Sequence, residues 1–404
     1  MRPVTTFPGS ALLRSIRMKA LTSALCVALA GVCTATATAE PAYPTPDSDP
    51  FYSAPGNIAD LRPGDVVQSR RIDSGYFPNA DGWQISFRST NSSGRPILGV
   101  TTVFLPRGVK NPPLISYQAL INSLGTRCQP SRSIFNGELQ DGPTAIVPLA
   151  RGWAISIPDY LGPDVAYGAA RMSGMVTLDS VRAVKRVTEL GLADAPTVLA
   201  GYSGGGMATA WAAAEQPEYA PELKLTAAVA GGIPADLEQM ARGLGFTAHP
   251  GFGLAFAAAM GLEREYPDRL PISDQLNAAG MAFREQNKDA CRRMLLIDGL
   301  GHSADEFAKS KKLMDTPETY NVLHENSLRY FDRVPTVPMY IWQGKYDELT
   351  PFDTVSGIVD RYKKAGARVD FTPVDVSEHL TAAVIGFPEA WNYVEARLRE
   401  AGSH

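Results

Sequence analysis

Apolar and polar positions alternate along residues 82–88 and again along 98–105, and the polar, turn-forming stretch 89–95 separates the two runs. A period of two interrupted by Ser, Asn and Gly predicts a β-hairpin. Short apolar runs recur at 113–117, 153–158, 197–200 and 225–230, each long enough for one buried strand. Within 172–190, Met175, Leu178, Val181, Val184 and Val187 fall at helical spacing. Later in the chain 337–342 is an apolar strand, and Val369, Phe371 and Val374 form another alternating run. Trp391, Val394 and Leu398 then mark a final amphipathic helix. Strands alternating with helices predict an α/β fold around a mostly parallel, doubly wound sheet. The rhythm breaks between 232 and 334, where strand patterns give way to helix formers. That segment reads as a helical insertion, dividing the core into 40–231 and 335–404. Its first part, 244–262, is strongly apolar with Gly and Pro breaks. Two readings stand: a cap or lid lining an acyl pocket, or the insertion's own helix core. Residues 40–66, with their Pro and Asp, are expected to wrap the surface.

The start of the chain has a different character. Met18 and Lys19 lead into the small and apolar run 20–39, which ends Ala37-Thr38-Ala39. A basic start, an apolar middle and an A-x-A end make residues 1–39 a secretory signal peptide, with Met18 an alternative start. Threonines interrupt the run too often for a membrane anchor. The mature protein is therefore expected to begin near Glu40, outside the cell. The remaining chain of the 404 has ample apolar content for a large core, at 45% of residues. Cleavage removes Arg2, Arg14, Arg17 and Lys19 and no acid, so the formal charge falls from −4 to −8. An acidic surface argues against nucleic acid as a partner. Cys26 and Cys33 leave with the signal, and Cys128 and Cys291 remain. Two cysteines in an exported chain read as one disulfide, the alternative being two buried thiols. No C-x-x-C, H-E-x-x-H or phosphate-binding loop is present, so no metal or nucleotide cofactor is expected. Asn91-Ser-Ser is formally a glycosylation sequon, but Asn-Ser-Ser-Gly reads better as a turn.

The candidate chemistry centres on Thr197-Val-Leu-Ala-Gly-Tyr-Ser-Gly-Gly. A β-branched run ends at Gly201, Ser203 follows, and Gly204-Gly205-Gly206 opens an Ala-rich helical stretch. This is G-x-S-x-G in the strand–turn–helix context of a nucleophile elbow. The bare pattern is weak in a chain with 36 glycines, and the context strengthens it. The competing reading is a tight turn with an idle serine. A serine hydroxyl is a poor nucleophile until a histidine takes its proton. His249, His302, His324 and His379 follow Ser203 at a useful distance. His379 comes after the last alternating strand and before the final helix, where the order Ser, acid, His places the base. Asp347 follows the 337–342 strand in a loop and is the expected acid. Glu348 is its nearest rival, and Asp375 lies too close in sequence to reach the ring of His379. Thr350, Pro351 and Asp353 read instead as N-cap, first position and capping-box acid of the next helix.

These residues resemble a known family, the secretory lipases, related to fungal lipases of the yeast lipase A type. The likeness covers nearly the whole mature chain. It runs from Asp49-Pro-Phe-Tyr and Pro63-Gly-Asp-Val-Val-Gln-Ser-Arg through Phe87-Arg-Ser-Thr-Asn-Ser-Ser-Gly-Arg-Pro and Ser116-Tyr-Gln. It continues in Cys128-Gln-Pro-Ser, Gly152-Trp-Ala-Ile-Ser-Ile-Pro-Asp-Tyr-Leu-Gly-Pro, Leu178-Asp-Ser-Val-Arg-Ala and Gly201-Tyr-Ser-Gly-Gly. The resemblance implies an α/β-hydrolase core with a helical cap, and hydrolysis of acylglycerols or similar esters. It places the triad on Ser203, Asp347 and His379 and the disulfide on Cys128 and Cys291. It draws the oxyanion hole from the amides of Gly204 and Asn122. Fungal members have Glu-Asp where this chain has Ile121-Asn122, so the amide is kept while the side chain differs. A second cysteine pair of some members is absent.

The expected function is thus a secreted serine hydrolase acting through an acyl-enzyme, with a small-molecule or lipid ester as its partner. Transient contact of the cap with a lipid interface is part of that expectation. An esterase or acyltransferase on smaller esters runs the same chemistry and differs only in pocket and cap. A non-catalytic hydrolase-fold binding protein is disfavoured because no triad member is lost.

Overall fold

The computed structural model describes residues 39–402 apart from 76, 78, 140 and 377. The signal peptide expected at 1–39 therefore lies outside the described residues, except for Ala39. Among these residues nine strands form one sheet: β1 (Val66–Ile72), β2 (Ala80–Thr90), β3 (Pro96–Pro106), β4 (Leu114–Gln118), β5 (Ala154–Pro158), β6 (Thr197–Tyr202), β7 (Leu225–Gly231), β8 (Met339–Gly344) and β9 (Val369–Val374). Their spatial order is β1-β2-β3-β5-β4-β6-β7-β8-β9. Pairing is antiparallel from β1 as far as β5 and parallel from β5 to β9. The hairpin expected from the alternating runs is β2–β3. Its turn is closed by Asn91, whose Oδ1 accepts the N–H groups of Ser93 and Arg95 at 3.1 and 2.9 Å. Asn91 is buried, so it serves the turn.

The apolar pattern misses β1, which reads Val-Val-Gln-Ser-Arg-Arg-Ile. Only Val66 and Ile72 at the ends of this edge strand pack on the core, and polar side chains hold its middle. Arg70 bonds Gln84 and Asp49, and the Arg71 guanidinium stacks over Trp83.

Helices cover both faces of the sheet. On one face lie α1 (Pro130–Asn136), α2 (Gly142–Ala150) and α12 (His379–Gly402); on the other lie α3 (Ala170–Arg186), α4 (Gly204–Tyr219) and α11 (Phe352–Lys364). Successive strand residues point to opposite layers. In β8, Tyr340 and Trp342 pack against Phe387 and Trp391 of α12, while Met339 and Ile341 pack with Val355 and Ile358 of α11. Burial on both faces is why these strands appear as continuous apolar runs rather than alternating ones.

Between β7 and β8 the chain is helical: α5 (Leu237–Gly245), α6 (Phe252–Glu265), α7 (Ala278–Asn287), α8 (Arg292–Asp298), α9 (Ala304–Phe307) and α10 (Pro317–Glu325). The apolar α6 serves two surfaces at once. Phe252, Phe256 and Met260 form a cluster with Phe283 and Phe307, and burial of each large side chain contributes roughly 1.5–3 kcal/mol. Leu254, Ala255, Ala258 and Leu262 line a cavity instead. One face of α6 is thus helix core of the insertion and the other is cavity wall. Several links bind the insertion to the core, among them a disulfide and a buried arginine. Cys128, in the turn after β4, is disulfide-bonded to Cys291, the cap of α8. Arg264 of α6, almost fully buried, donates to the carbonyls of Leu124, Val165, Asp164, Ala42 and Lys288 at 2.8–3.1 Å. Burial holds its pKa down at about 10, against the pull of Asp164 and Asp289.

One local expectation is corrected. Helix α11 starts at Phe352 after Pro351, without a side-chain cap, so Thr350 is not the N-cap and Asp353 closes no capping box. Thr350 is used elsewhere: its N–H is donated to Asp347 and its hydroxyl accepts from Gln343. The turn is built to hold the Asp347 carboxylate rather than to start the helix.

Candidate active site

Ser203 sits between β6 and α4 at φ 57° and ψ −123°, a conformation that costs a non-glycine residue of order 1–3 kcal/mol. Crowding explains the glycines around it. A Cβ on Gly205 would lie 1.9 Å from the carbonyl oxygen of Gln118, and one on Gly201 2.4 Å from that of Gly205. A Cβ on Gly206 would meet the Gly231 oxygen at 2.3 Å. The small residues let helix and sheet close on the turn and leave the Ser203 hydroxyl at the top of the sheet.

His379, the first residue of α12, is 2% exposed. Its Nε2 lies 2.9 Å from Ser203 Oγ, and its Nδ1 lies 2.7 Å from Asp347 Oδ2. A carboxylate only accepts, so Nδ1 carries the proton and Nε2 is free to accept the serine hydroxyl. The backbone of His379 is fixed as well: Tyr202 Oη donates to its carbonyl at 2.6 Å, and its N–H is donated to Glu348 Oε2 at 2.9 Å. Gly232 keeps a left-handed φ of 56° beside the ring, where a Cβ would come within 2.9 Å of His379 Cε1. Asp347 further accepts from Gln343 Nε2 at 3.1 Å and from the N–H groups of Leu349 and Thr350 at 3.0 and 2.9 Å. Burial alone would raise the pKa of Asp347. The bonds from His379 and the two amides outweigh it and hold the carboxyl below its ordinary range.

The rival acids are placed elsewhere. Glu348 reaches the backbone of His379 rather than its ring. Asp375 faces Lys345 at 3.7 Å, and Asp353 is exposed on α11. Of the other histidines, His302 pairs with Glu306 and His324 with Glu238, and His249 accepts the Gly251 N–H.

Gly204 N–H lies in the first turn of α4, where no carbonyl four residues back is available to it. The loop after β4 brings Asn122 alongside, with its Oδ1 2.7 Å from the Cβ position of Gly204. Sequence reasoning missed the residues that pin this loop. Asp141 Oδ2 accepts from Leu120 N–H at 2.8 Å and from Tyr117 Oη at 2.7 Å. Tyr160 Oη donates to the Ala119 carbonyl at 2.9 Å and accepts from Ile121 N–H at 3.4 Å. Asp141 belongs to no quoted motif, and the stretch 152–163 that contains Tyr160 gives no sign of its partners; only the fold brings both to the loop.

A cavity of ≈ 500 Å³ opens above Ser203, Gly204, Asn122 and His379. Its walls toward the insertion are apolar, with Leu237, Leu244, Leu254, Leu262, Leu270 and Leu323. Arg292, Glu348 and Glu378 are its charged lining residues. A hydroxyl bonded to an imidazole, beside the free first-turn N–H of Gly204 and an apolar chamber, can attack a carbonyl carbon and stabilise the resulting oxyanion. No group of His, Cys, Asp and Glu suited to a metal occurs among the described residues, and no helix there is long and apolar enough to cross a membrane.

Comparison with known proteins gives a consistent picture. The family model for secretory lipases matches residues 138–403. The chain is 31% identical over 401 residues to lipase A of Moesziomyces aphidis, covering 93% of this chain and 86% of that one. It is 32% identical to a protein of Mycobacterium tuberculosis named a probable inactive lipase, covering 87% and 82%. The crystal structure of Candida antarctica lipase A in its closed state superposes with a TM-score of 0.82 at 29% identity, over 89% of this chain and 87% of that one.

Proposed function

The chain belongs to the secretory lipase family, and from that membership we propose that it is an exported hydrolase of acylglycerol-type esters working through Ser203, His379 and Asp347. The observation that carries the reading is the continuous hydrogen-bonded line from Asp347 through His379 to Ser203 at the floor of an apolar cavity. His379 takes the proton of Ser203 as Oγ attacks the ester carbonyl carbon. Asp347 keeps Nδ1 protonated and stabilises the imidazolium. The N–H groups of Gly204 and Asn122 receive the developing oxyanion, helped by the positive end of α4. The tetrahedral intermediate then collapses, and His379 passes its proton to the leaving alcohol. Water, activated by the same histidine, releases the acid from Ser203. The acyl chain lies between α5, α6 and α10, where burying methylenes supplies the binding energy.

Exposed apolar side chains on α12, on α8 and just after it, among them Leu380, Val384, Ile385, Ile297 and Leu300, suit brief contact with a lipid surface. Leu380 itself lines the cavity, so such contact would lie beside the opening. A relative bears the name of a probable inactive lipase, and the contrast to test is whether this chain turns over. In this chain all three side chains stand within hydrogen-bond distance, so activity is expected. The test is p-nitrophenyl octanoate hydrolysis by the mature protein and by Ser203→Ala. Turnover should fall by several orders of magnitude in the variant, and a phosphonate ester should label only the unaltered protein. Equal activity of the two proteins would refute the assignment.

A further inference from the structure

The cavity above Ser203 has one cation other than histidine among its described lining residues, Arg292. It opens α8 directly after the disulfide-bonded Cys291, so the bridge fixes its position. Arg292 and Leu296, four residues apart, share the face of α8 that lines the cavity. Leu295 is fully buried, its carbonyl against Gly253 of α6, while Met294, Ile297 and Leu300 face out. Arg292 lines the cavity and is half-buried.

Its guanidinium makes no hydrogen bond or ion pair with any described residue, and its Nε is sealed from solvent without a partner. Desolvation lowers its pKa even though Asp141 and Tyr167 pull the other way. Only Oδ2 of Asp141 is bonded, to Tyr117 and to the Leu120 N–H; its buried Oδ1 has no hydrogen-bond partner, so Asp141 acts on Arg292 through space alone. A desolvated guanidinium whose N–H groups are left without acceptors is costly even with a carboxylate nearby, and its planar fork fits a phosphate or carboxylate. The two acids of the cavity, Glu348 and Glu378, are held by backbone N–H groups beside His379. Arg292 belongs instead to the side of the Leu120–Asn122 loop, through Asp141. The deep walls are apolar and exclude charge from the acyl chain, which leaves the alcohol half of the ester for an anion.

We propose that Arg292 is an anion-binding subsite for the alcohol half, and that the chain hydrolyses acyl esters whose alcohol carries a phosphate or carboxylate, an acylglycerol phosphate being the simplest. This rests on the ester-hydrolase reading above. The chemistry is unchanged: the acyl carbon–oxygen bond breaks, the acyl group passes to Ser203 Oγ, and the alcohol oxygen takes the proton from His379. Water then releases the acid. The anionic group is held and not altered.

The test compares 1-octanoylglycerol, 1-octanoylglycerol 3-phosphate and O-octanoyl lactate, in the mature protein and in Arg292→Gln and Arg292→Lys. The ratio of kcat/KM on an anionic ester to that on the neutral ester should fall about 10–100-fold in Arg292→Gln, mainly through KM. Arg292→Lys should fall between, because it keeps the charge and loses the fork. The ester with the larger loss identifies the anion. A parallel fall on all three esters, or turnover of the neutral ester alone by the unaltered protein, would overturn the subsite. Calorimetric titration of Ser203→Ala with 1-octanoylglycerol 3-phosphate, with and without Arg292→Gln, reads binding without turnover. Arg292-dependent binding in a protein that cleaves none of the esters would keep the subsite and reject the hydrolase reading. Binding indifferent to Arg292 would reject the subsite alone.

Discussion

Asp347 and Glu348 are neighbours of the same charge, yet they hold different parts of His379: one the ring, the other the backbone N–H. Only the first can set the tautomer and stabilise the imidazolium. Asp347→Asn should therefore cut kcat by about three orders of magnitude or more, and Glu348→Gln by about tenfold at most. Both are read from kcat on p-nitrophenyl octanoate, and a larger loss in Glu348→Gln would reassign the acid. A second carboxyl, Asp159, is buried beneath Ser131, and burial pushes its pKa up to about 7 from an ordinary 3.8. The native state then keeps a proton that the unfolded chain has released, so stability falls as pH rises from about 4 to about 7. Asp159→Asn mimics the protonated form. In thermal melts it should gain on the unaltered protein between pH 4.5 and pH 8, and a gap constant with pH would disprove the account. The meeting of Ser203, Asp347 and His379 in one hydrogen-bonded line was legible because motif, chain order and strand ends point to them. Asp141, Tyr160 and Gln343 were not, because their partners are backbone or side-chain groups that only the tertiary fold brings near.

Elements were legible where apolar burial shapes them. The hairpin β2–β3, the buried strands and α3 follow the periodicity, whereas β1 escaped it because only its ends pack on the core and arginines hold its middle. The loop between β4 and α1 depends on such polar ties too. Tyr160 Oη bridges the Ala119 carbonyl and the Ile121 N–H, one residue before the Asn122 amide. In Tyr160→Phe the loop should lose its setting, with kcat falling about tenfold and KM nearly constant, because the oxyanion forms only in the transition state. A rise in KM at unchanged kcat would show that Tyr160 shapes the pocket instead. The disulfide works at the same scale, tying the end of this loop to α8 over a separation of 163 residues. Its removal in Cys128→Ala/Cys291→Ala should lower stability by about 2–5 kcal/mol in urea unfolding. An unchanged midpoint would mean that the bridge adds nothing to the Arg264 ties.

At the scale of the molecule, an insertion of six helices between two neighbouring parallel strands sits over the carboxyl ends of the sheet, where α/β folds place their ligands. Helix α6 fills both roles that the sequence left open: its phenylalanines stabilise the insertion, and its leucines and alanines wall the cavity. On the proposed reading the cavity measures acyl chains. Each added methylene that enters it contributes up to about 0.8 kcal/mol, close to fourfold in kcat/KM, until the walls end. Across p-nitrophenyl esters of two to eighteen carbons kcat/KM should climb from acetate and then level off, and emulsified triolein should be hydrolysed. Replacing Leu254 or Leu262 by Trp should move the levelling point to shorter chains, since both side chains face the cavity. A peak at acetate or butyrate without triolein hydrolysis would assign the chamber to the packing of the insertion and the protein to small esters. A levelling point unmoved by either tryptophan would instead put the acyl chain along another wall, leaving the triad intact.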